Sequence, residues 1–489
     1  MTVSDQNNRN GVSFLTYILS LLAIFIIGVF LTLVLTGRTR QPKLMSSSSD
    51  QAEEENISLD TVAELYQVLT QEYYGDVDSN ALINGALEGM AQAVDDPHTQ
   101  YMDVQETSDF NDEISGSFEG IGAEVIKEDE KLRVVSPIPD SPADQAGILP
   151  NDYILAVDGQ SLKDLNAQEA VELIRGPKGS EVDLEVERSG NSFNLIVERD
   201  AVPIETVTYQ EVEGHDGIGL VQLSRFNQPS YEEMVEAIQD LEDQGVTQFI
   251  FDLRGNPGGL LDTALQIANI FVDEGDPIMQ VKEAEDEDPI SFVAGDEYGD
   301  FKFNPDHEGI FLVDEGSASA SEILAGAVQE AGYPLLGKTT YGKGTVQSLY
   351  PLIGGSEVKF TNHIWLTASG EWINEEGIEP DIEVDQLGQG ELKLVNPEET
   401  YQLGDQSPEV ENINKLLSLL GYEVPDNDQF SQETQVAVQT FQNDQGLEET
   451  GVMNETTSIR LMEAIREYIR ENDKQVEEAI ARLEADNGE

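Results

Sequence analysis

The sequence contains no cysteine and only four histidines among its 489 residues. The lack of cysteine excludes disulfide bridges and thiol chemistry. His98, His215, His307 and His363 form no H-E-x-x-H or clustered metal-ligand spacing, which argues against a zinc peptidase. None of them accompanies a G-x-S-x-G motif, so a Ser-His-Asp enzyme is also disfavoured. The sequence therefore implies neither a metal nor another cofactor.

Basic residues are scarce as well: 26 lysines and arginines stand against 96 aspartates and glutamates, a formal net charge of −70. The acidic residues are spread along the chain, which argues against nucleic-acid binding because that needs basic patches. Two interpretations stay open, a generally acidic soluble surface and an adaptation to high salt, where screening shortens the reach of self-repulsion. The length predicts several domains.

The most informative stretch lies between residues 309 and 347. An apolar run, Gly309 to Val313, predicts a buried strand, and residues 323–328 predict a helix. Small hydroxyl residues join the two in the order Ser317-Ala318-Ser319-Ala320-Ser321-Glu322. A second apolar run, residues 333–336, leads to a lysine between glycines, Gly342-Lys343-Gly344. The sequence thus brings a serine to a helix N-terminus and a lysine to a nearby turn.

This pattern has local and catalytic interpretations. Ser319-x-x-Glu322 fits a helix capping box, and the glycines fit an ordinary turn. A phosphate-binding loop is disfavoured because Gly344 stands where its hydroxyl residue belongs. In the catalytic interpretation Ser319 is a nucleophile beside free backbone N–H groups, and Lys343 is its base. That role needs a pKa far below the usual lysine value of about 10.4. The many acidic residues of the chain would raise the pKa of Lys343, whereas burial would lower it.

Two motifs, Gly316 to Ile323 and Tyr341 to Gln347, resemble those of the C-terminal processing peptidases, also called tail-specific proteases. The resemblance implies that Ser319 is the nucleophile, that Lys343 is the general base and that Gln347 orients the lysine.

The same resemblance identifies residues 206–385 as the protease core. Residues 217–226 and 248–253 predict strands, and the turn at 255–261 leads into a helix that ends near Phe271. Strands alternating with helices give an α/β fold. The family implies a core similar to crotonases and Clp-type proteases. It also implies two oxyanion donors, the N–H of Ala320 and that of Gly258 or Gly259. The glycines could equally serve only tight strand-to-helix packing.

Residues 106–205 resemble a PDZ domain. The family's carboxylate-binding loop falls on Gly120, Ile121, Gly122 and Ala123, whose backbone N–H groups would capture a peptide C-terminus. Arg175 follows the predicted groove helix, residues 167–174. We expect either that it clamps the PDZ domain to a carboxylate on the protease core, with a regulatory role, or that it only complements the helix dipole.

The N-terminal part begins with a tail, residues 1–11. Residues 12–36 then carry no charge, and at about 1.5 Å per residue these 25 residues span a bilayer of ~30 Å. No A-x-A site follows, so the segment predicts an uncleaved single-pass signal anchor. The positive-inside rule alone places the bulk of the chain in the cytoplasm, whereas the family implies the extracytoplasmic side of the cell membrane, which we adopt. Residues 37–57 predict a linker and 58–105 a helical region.

The C-terminal part begins with a linker, residues 386–400. Residues 401–461 resemble a three-helix peptidoglycan-binding domain. Apolar residues then recur with helical spacing at Leu461, Ile465, Ile469, Val476, Ile480 and Leu483. We expect residues 462–489 to form one amphipathic helix, and its apolar face would either cap its own domain or pair with another subunit.

These observations together predict a membrane-anchored serine endopeptidase with a Ser319/Lys343 dyad, whose PDZ domain captures the C-terminal tails of protein substrates. Peptidoglycan and a second copy of the chain are further expected partners. The alternative is a non-catalytic PDZ and wall-binding scaffold, and a crotonase-like enzyme that acts on acyl thioesters is a third class.

The high-salt interpretation predicts that folding and activity both improve as salt is added, because screening weakens the repulsion among 96 acidic side chains. Thermal unfolding and activity should be measured from about 0.01 M to about 1 M salt, where the Debye length falls from roughly 30 Å to 3 Å. Full stability and activity at the lowest salt would contradict the interpretation.

Overall fold

A computed structural model describes residues 58–128, 130–283, 288–386, 393–397 and 399–486. The chain divides into two compact units, Met1–Asp78 and Ser79–Glu489. In the first unit the structure describes helix α1 (Leu59–Glu72). The predicted anchor, residues 12–36, lies outside the described residues. Within the described ranges, no helix combines the length and the apolar character that a membrane span needs.

The second unit opens with helix α2 (Ser79–Gln92), strand β1 (Gln100–Met102) and helix α3 (Val104–Ser115). Between α2 and β1 the chain turns at residues 95–99, where Asp96 accepts hydrogen bonds from the His98 N–H and the Thr99 hydroxyl. Thr99 Oγ1 in turn accepts from the Thr361 N–H at 3.3 Å. This turn is therefore fixed to a strand of the core.

After helix α3, the region predicted as a PDZ domain contains eight strands and two further helices, in chain order β2 (Ser117–Gly120), β3 (Ala123–Glu128), β4 (Lys131–Pro137), α4 (Pro142–Gln145), β5 (Tyr153–Val157), β6 (Gln160–Ser161), α5 (Ala167–Ile174), β7 (Glu181–Arg188), β8 (Asn191–Glu198) and β9 (Asp200–Pro203). Strands β3-β4-β5-β7-β8 form an antiparallel sheet, and β6 pairs with β5. Its core includes Ile121, Leu132, Ile154 and Val186. Strands β2 and β9 pair separately and connect this sheet to the rest of the chain.

The predicted protease core continues in chain order with β10 (Val207–Glu211), β11 (Ile218–Leu223), α6 (Ser230–Asp243), β12 (Gln248–Asp252), α7 (Leu261–Phe271), β13 (Pro277–Lys282), β14 (Ile290–Val293), a 3-10 helix (Asp296–Tyr298), β15 (Glu308–Val313), α8 (Ala320–Glu330), β16 (Leu335–Gly337), β17 (Thr345–Pro351), β18 (Glu357–Thr367) and β19 (Ile382–Glu383). The strand before Ser319, the helix after it and the helix ending at Phe271 therefore lie where the sequence predicted them.

Six of these strands form the core sheet in the order β10-β11-β12-β15-β16-β19, with β10 antiparallel and all others parallel. A second, antiparallel sheet has the order β1-β18-β13-β14, with β17 paired to β18. Because strand side chains alternate between faces, the central strands β11, β12, β15 and β16 bury residues on both faces of the core sheet. Phe249, Phe251 and Phe311 face helices α6, α7 and α8 and the second sheet.

The other face of the core sheet buries Ile218, Ile250, Ile310, Leu312 and Leu336. It is covered by the last helix of the chain, α12 (Lys474–Asp486), through Ala479, Ile480 and Leu483. The Gln248 side-chain amide donates to the Leu483 carbonyl oxygen at 2.6 Å, which fixes the far end of this helix. The C-terminal helix thus completes the α/β sandwich that begins at β10.

Between β19 and α12 lies a separate three-helix domain, with α9 (Pro408–Leu419), α10 (Gln432–Asp444) and α11 (Glu455–Glu471). Its core includes Val410, Phe430, Phe441 and Leu461. These helices confirm the multidomain α/β prediction with a helical C-terminal domain.

The prediction of one amphipathic tail over residues 462–489 is wrong. The helical pattern runs through Ile465 and Ile469 in α11, which pack into the three-helix domain, and then breaks at Asn472-Asp473. Val476, Ile480 and Leu483 lie on α12 and pack on the protease core instead. The break gives two apolar faces, one packed on the three-helix domain and one packed on the core sheet.

Candidate active site

Ser319 lies at the N-terminus of α8 in a strained backbone conformation, with φ of +56° and ψ of −111°. A residue with a side chain rarely adopts this region unless the surrounding structure imposes it. The neighbouring serines are fully buried and bonded: Ser317 Oγ donates to the Leu253 carbonyl and Ser321 Oγ to the Asn256 carbonyl, both at 2.8 Å. Of the three serines, only Ser319 is partly exposed.

Lys343 enters the site on a loop whose glycines permit close backbone contacts. Gly342 has a φ of +88°, and an added Cβ would lie 3.0 Å from three backbone nitrogens of residues 375–377. A Cβ on Gly344 would lie 2.7 Å from Trp372 Nε1. The Lys343 carbonyl oxygen accepts from Trp365 Nε1 at 2.8 Å. The G-K-G sequence therefore serves to hold the lysine backbone against two tryptophans.

Glu322 connects the turn that carries Ser319, residues 314–319, to the loop that carries Lys343, residues 338–344. These are called the serine turn and the lysine loop. Its Oε2 accepts from the N–H groups of Ser319 (2.7 Å) and Lys343 (2.9 Å). Its Oε1 accepts from the Thr340 hydroxyl and the Gly342 N–H, both at 2.6 Å. The side chain is fully buried, so these four bonds replace its hydration. The sequence predicted a capping box between Ser319 and Glu322. Its bond from the Ser319 N–H to Glu322 is one of these four hydrogen bonds.

The turn after β12 packs directly on the serine turn. A Cβ on Gly258 would lie 2.7 Å from the Ala318 carbonyl oxygen and 3.0 Å from Ser319 Cβ. The Gly258 N–H donates to Asn256 Oδ1 at 2.9 Å and is therefore occupied. In the part of the chain that the structure describes, the N–H groups of Gly259 and Ala320 have no hydrogen-bond partner. These two are the donors available to an oxyanion.

Gln347 lies on β17, and its Nε2 donates to Thr345 Oγ1 at 3.0 Å and to Thr361 Oγ1 at 3.1 Å. Among the described residues, no hydrogen bond joins Gln347 to Lys343. Thr361 is the residue whose N–H binds the turn at 95–99.

A cavity of about 250 Å³ brings these groups together. Its lining includes five of the residues that the sequence singled out, Gly259, Ser319, Ala320, Lys343 and Gln347. Apolar side chains form much of the remaining wall, including Ile114, Leu261, Ile323, Val346 and Trp365. The cavity can therefore hold an apolar side chain next to a hydroxyl, an amine and two free N–H groups.

The electrostatics of this cavity lower the pKa of its lysine. Burial lowers the pKa of Lys343, and the like charge of Lys359 on β18 lowers it further. Glu322 on α8 and Asp96 in the turn before β1 act in the opposite direction without reversing the shift. Burial and Lys343 likewise lower the pKa of His98 in the same turn. The desolvation that the sequence analysis required of the site is therefore present.

A second cavity, about 780 Å³, runs between helices α3 and α5 and ends at the turn after β12. Its lining includes Val171 and Arg175 as well as Gly258 and Gly259. The loop predicted to bind a carboxylate, Gly120 to Ala123, joins β2 to β3, and β3 is an edge strand of its sheet. A peptide added to that edge would lie next to helix α5.

Arg175 contacts carboxylates, but the expected partner on the protease core is wrong. Its Nη1 lies 3.1 Å from Asp109 Oδ1 and 3.4 Å from Asp112 Oδ2, both on helix α3. The guanidinium also lies 5.3 Å from the centre of the Phe118 ring. Arg175 therefore joins the PDZ groove helix to α3, because α3 and not the core sheet lies beside it.

Comparison with known families identifies four parts of the chain. The model of peptidase family S41 matches residues 217–384 and the PDZ model matches 133–188. The putative peptidoglycan binding domain matches residues 406–461, and the N-terminal domain of the activating protease CtpB matches 22–107. The fold and the site thus define a PDZ-containing peptidase of family S41.

Relatives define the family more narrowly. The carboxy-terminal processing protease CtpA of Bacillus subtilis is 38% identical over 455 residues, covering 93% of this chain and 95% of that protein. A probable CtpA-like serine protease of Staphylococcus saprophyticus is 32% identical, with coverages of 98% and 96%. The chain belongs to the family of carboxy-terminal processing proteases. A solved structure, the photosystem II D1 C-terminal processing protease, is 25% identical over 66% of this chain and 92% of its own, with a TM-score of 0.38.

Sequence reasoning missed three residues at the site. Glu322 gave a signal, its position three residues after Ser319, but this indicated only a helix cap. Lys359 and Asp96 gave none, because their strand and turn reach the cavity only through the pairing of β17, β18 and β1.

Glu322→Gln should lower the free energy of unfolding of the core by about 1–3 kcal/mol. Whichever way the amide turns, its NH2 group faces at least one backbone N–H that now lacks an acceptor. Chemical denaturation measures the change. Glu315→Gln, an exposed carboxylate in the same loop, is the control and should change stability by less than about 0.5 kcal/mol. Equal losses in both variants would contradict the structural role of Glu322.

Proposed function

We propose that this chain is a membrane-anchored serine endopeptidase that uses a Ser319/Lys343 dyad to cleave proteins captured by their C-terminal tails. The observation that carries the proposal is the shared cavity: Ser319, Lys343 and Gln347 line it together with Gly259 and Ala320.

In the proposed reaction Ser319 Oγ attacks the scissile carbonyl carbon while neutral Lys343 Nζ takes its proton. Lys343 then gives this proton to the leaving amine, so the peptide bond breaks and an acyl-enzyme remains. Water attacks the ester with Lys343 again as base, and the proton returns to Ser319 as the acid product leaves. The lowered pKa of Lys343 supports this role, because a lysine can accept a proton only in its neutral form.

The carbonyl oxygen becomes negatively charged in both tetrahedral intermediates. We assign its stabilisation to the N–H groups of Ala320 and Gly259, since the Gly258 N–H already donates to Asn256. One such donor typically contributes about 10²- to 10³-fold in rate. Gln347 keeps its proposed role of orienting Lys343. In the present geometry Gln347 Nε2 is bonded to Thr345 and Thr361, which leaves its Oε1 as the group that could accept from the lysine.

We assign substrate capture to the PDZ domain. A C-terminal carboxylate would bind the N–H groups of the loop from Gly120 to Ala123, and the tail would extend strand β3. The cavity that leads from Val171 and Arg175 to Gly259 supports this assignment, because it offers a path from the groove helix to the cleavage site.

We further propose that residues 12–36 anchor the chain, with the catalytic part on the extracytoplasmic side, and that residues 401–461 bind peptidoglycan. Protease accessibility of the catalytic part in intact cells and in cell lysates tests the first assignment, and co-sedimentation with insoluble peptidoglycan tests the second. Degradation only after lysis, or failure to sediment, would remove the respective proposal.

The dyad predicts that Ser319→Ala and Lys343→Ala each lower kcat/KM at least about a thousandfold, because each removes a group that takes part in every proton transfer. The assay uses the full-length chain in mild detergent and an unfolded protein with an apolar C-terminal tail. Lys338→Ala is the control, since Lys338 forms a surface ion pair with Glu383 and should not affect cleavage.

The same substrate with a C-terminal carboxamide should be cleaved more slowly if the PDZ loop binds the carboxylate. Cleavage that survives in either dyad variant would contradict the assignment of that residue. A folded wild-type chain that cleaves nothing would favour the non-catalytic scaffold.

The pH dependence of kcat/KM should also report Lys343. Activity should rise as pH increases through its pKa, because the neutral amine is the base. Lys359→Gln removes a like charge and should move this rise to higher pH, whereas Asp96→Asn removes an attractive charge and should move it to lower pH. Lys359→Arg keeps the charge and serves as the control. Identical profiles for Lys359→Gln and the wild type would contradict Lys343 as the titrating base.

A further inference from the structure

The last helix of the chain, α12, contacts the turn after β12 that carries Gly259, one of the two proposed oxyanion donors. This turn, residues 255–261, is called the oxyanion turn below. Arg254 immediately precedes Gly255, the first residue of that turn, and its guanidinium is held between two carboxylates. Nε and Nη2 bind Asp252 at 2.8 and 2.6 Å, and Nη1 and Nη2 bind Asp473 at 2.9 and 2.7 Å. The side chain is only 12% exposed. Paired bidentate contacts of this kind fix orientation as well as position.

Asp473 also begins the C-terminal helix. Its Oδ1 accepts from the N–H groups of Gln475 and Val476, both at 3.1 Å, so the carboxylate that binds Arg254 also caps α12. Gln475 is fully buried and adds a further contact, from Arg254 Nη1 to its Oε1 at 3.0 Å. The start of α12 and the start of the oxyanion turn are therefore parts of one hydrogen-bonded unit.

The same unit holds the chain where it leaves the core. Gln475 Nε2 donates to the Val384 carbonyl at 2.8 Å, and the Lys474 N–H donates to Gln386 Oε1 at 2.9 Å. The segments that lead into and out of the three-helix domain thus meet beside Arg254.

Hydrogen bonds also join the residues that follow Arg254 to the serine turn. The Gly255 N–H donates to Asp314 Oδ1 at 2.8 Å, and the Ala318 N–H donates to the Asn256 carbonyl at 3.0 Å. Asn256 is fully buried and its Oδ1 accepts from Gly258. A shift of Arg254 would therefore move the residues that flank both proposed oxyanion donors.

We propose that Asp473 is a positioning residue of the protease site, and that the C-terminal helix holds the oxyanion turn in its productive geometry through Arg254. This inference rests on the proposed function for its catalytic consequence. Burial would lower the pKa of the Arg254 guanidinium, but its bonds to Asp252 and Asp473 raise it above the ordinary value, so Arg254 keeps its charge.

The test compares the full-length wild type with Asp473→Asn, which keeps the shape of the side chain but loses its charge and one acceptor. The control is Glu484→Gln, which removes an exposed contact with His215 at the other end of the same helix. Two readouts are used: kcat and KM for the tailed substrate, and the inhibition constant of a peptide aldehyde, whose adduct with the nucleophile places an oxyanion in the hole.

We expect Asp473→Asn to lower kcat and aldehyde affinity by the same factor of ten or more while KM stays within twofold, the signature of an interaction made in the transition state. Glu484→Gln should match the wild type. Hydrogen exchange adds a readout independent of activity: amides of residues 255–259 should exchange faster in Asp473→Asn, while those of β12 should not.

Unchanged kcat and unchanged exchange in folded Asp473→Asn would overturn the inference. Equal losses in Glu484→Gln would also overturn it, because they would indicate general destabilisation of the helix. A Ser319→Ala variant measured beside them separates the two proposals. If it cleaves as fast as the wild type, the proposed dyad fails, whereas the exchange result still decides the role of Asp473.

Discussion

The site depends on one buried carboxylate. Glu322 accepts four hydrogen bonds, one from the backbone of Ser319 and three from the segment that carries Lys343, and no cation contributes among its described hydrogen-bond donors. A carboxylate without a salt-bridge partner is expensive to bury unless N–H and O–H groups replace water around it. Hydrogen bonds to this carboxylate hold both the strained backbone of Ser319 and the glycine loop of Lys343. The relative placement of the two residues therefore depends on Glu322.

The few arginines and lysines of the chain also have defined positions in the fold. Arg254 binds Asp252 and Asp473 from two segments, Arg175 binds two carboxylates of helix α3, and both arginines occur where one part of the fold meets another. Lys343 and Lys359 form no ion pair within the described residues, although the chain carries 96 acidic side chains. Burial and the like charge of Lys359 lower the pKa of Lys343, although Glu322 and Asp96 oppose that shift.

Local sequence predicted the parts of the site that one segment determines. The apolar run before Ser319, the helix after it and the glycines around Lys343 all have local physical causes, and each lies where it was expected. Sequence could not choose between Gly258 and Gly259, since the choice depends on a side-chain bond from Asn256. It also could not predict the partner of Arg254, because Asp473 lies 219 residues away and no periodicity links them. The spacing of apolar residues predicted the apolar face of α12. That spacing does not identify the surface against which the helix packs.

The position of α12 also has a consequence for biosynthesis. The protease sheet acquires its second apolar cover only after the whole three-helix domain has been made. At roughly 5–20 residues per second, the 219 residues between Arg254 and Asp473 take about 10–40 s to synthesise. Until α12 is made, the face formed by Ile250, Ile310 and Leu312 lacks the cover that the last helix gives it. A nascent chain therefore contains Ser319 long before it contains the helix that completes the core sheet.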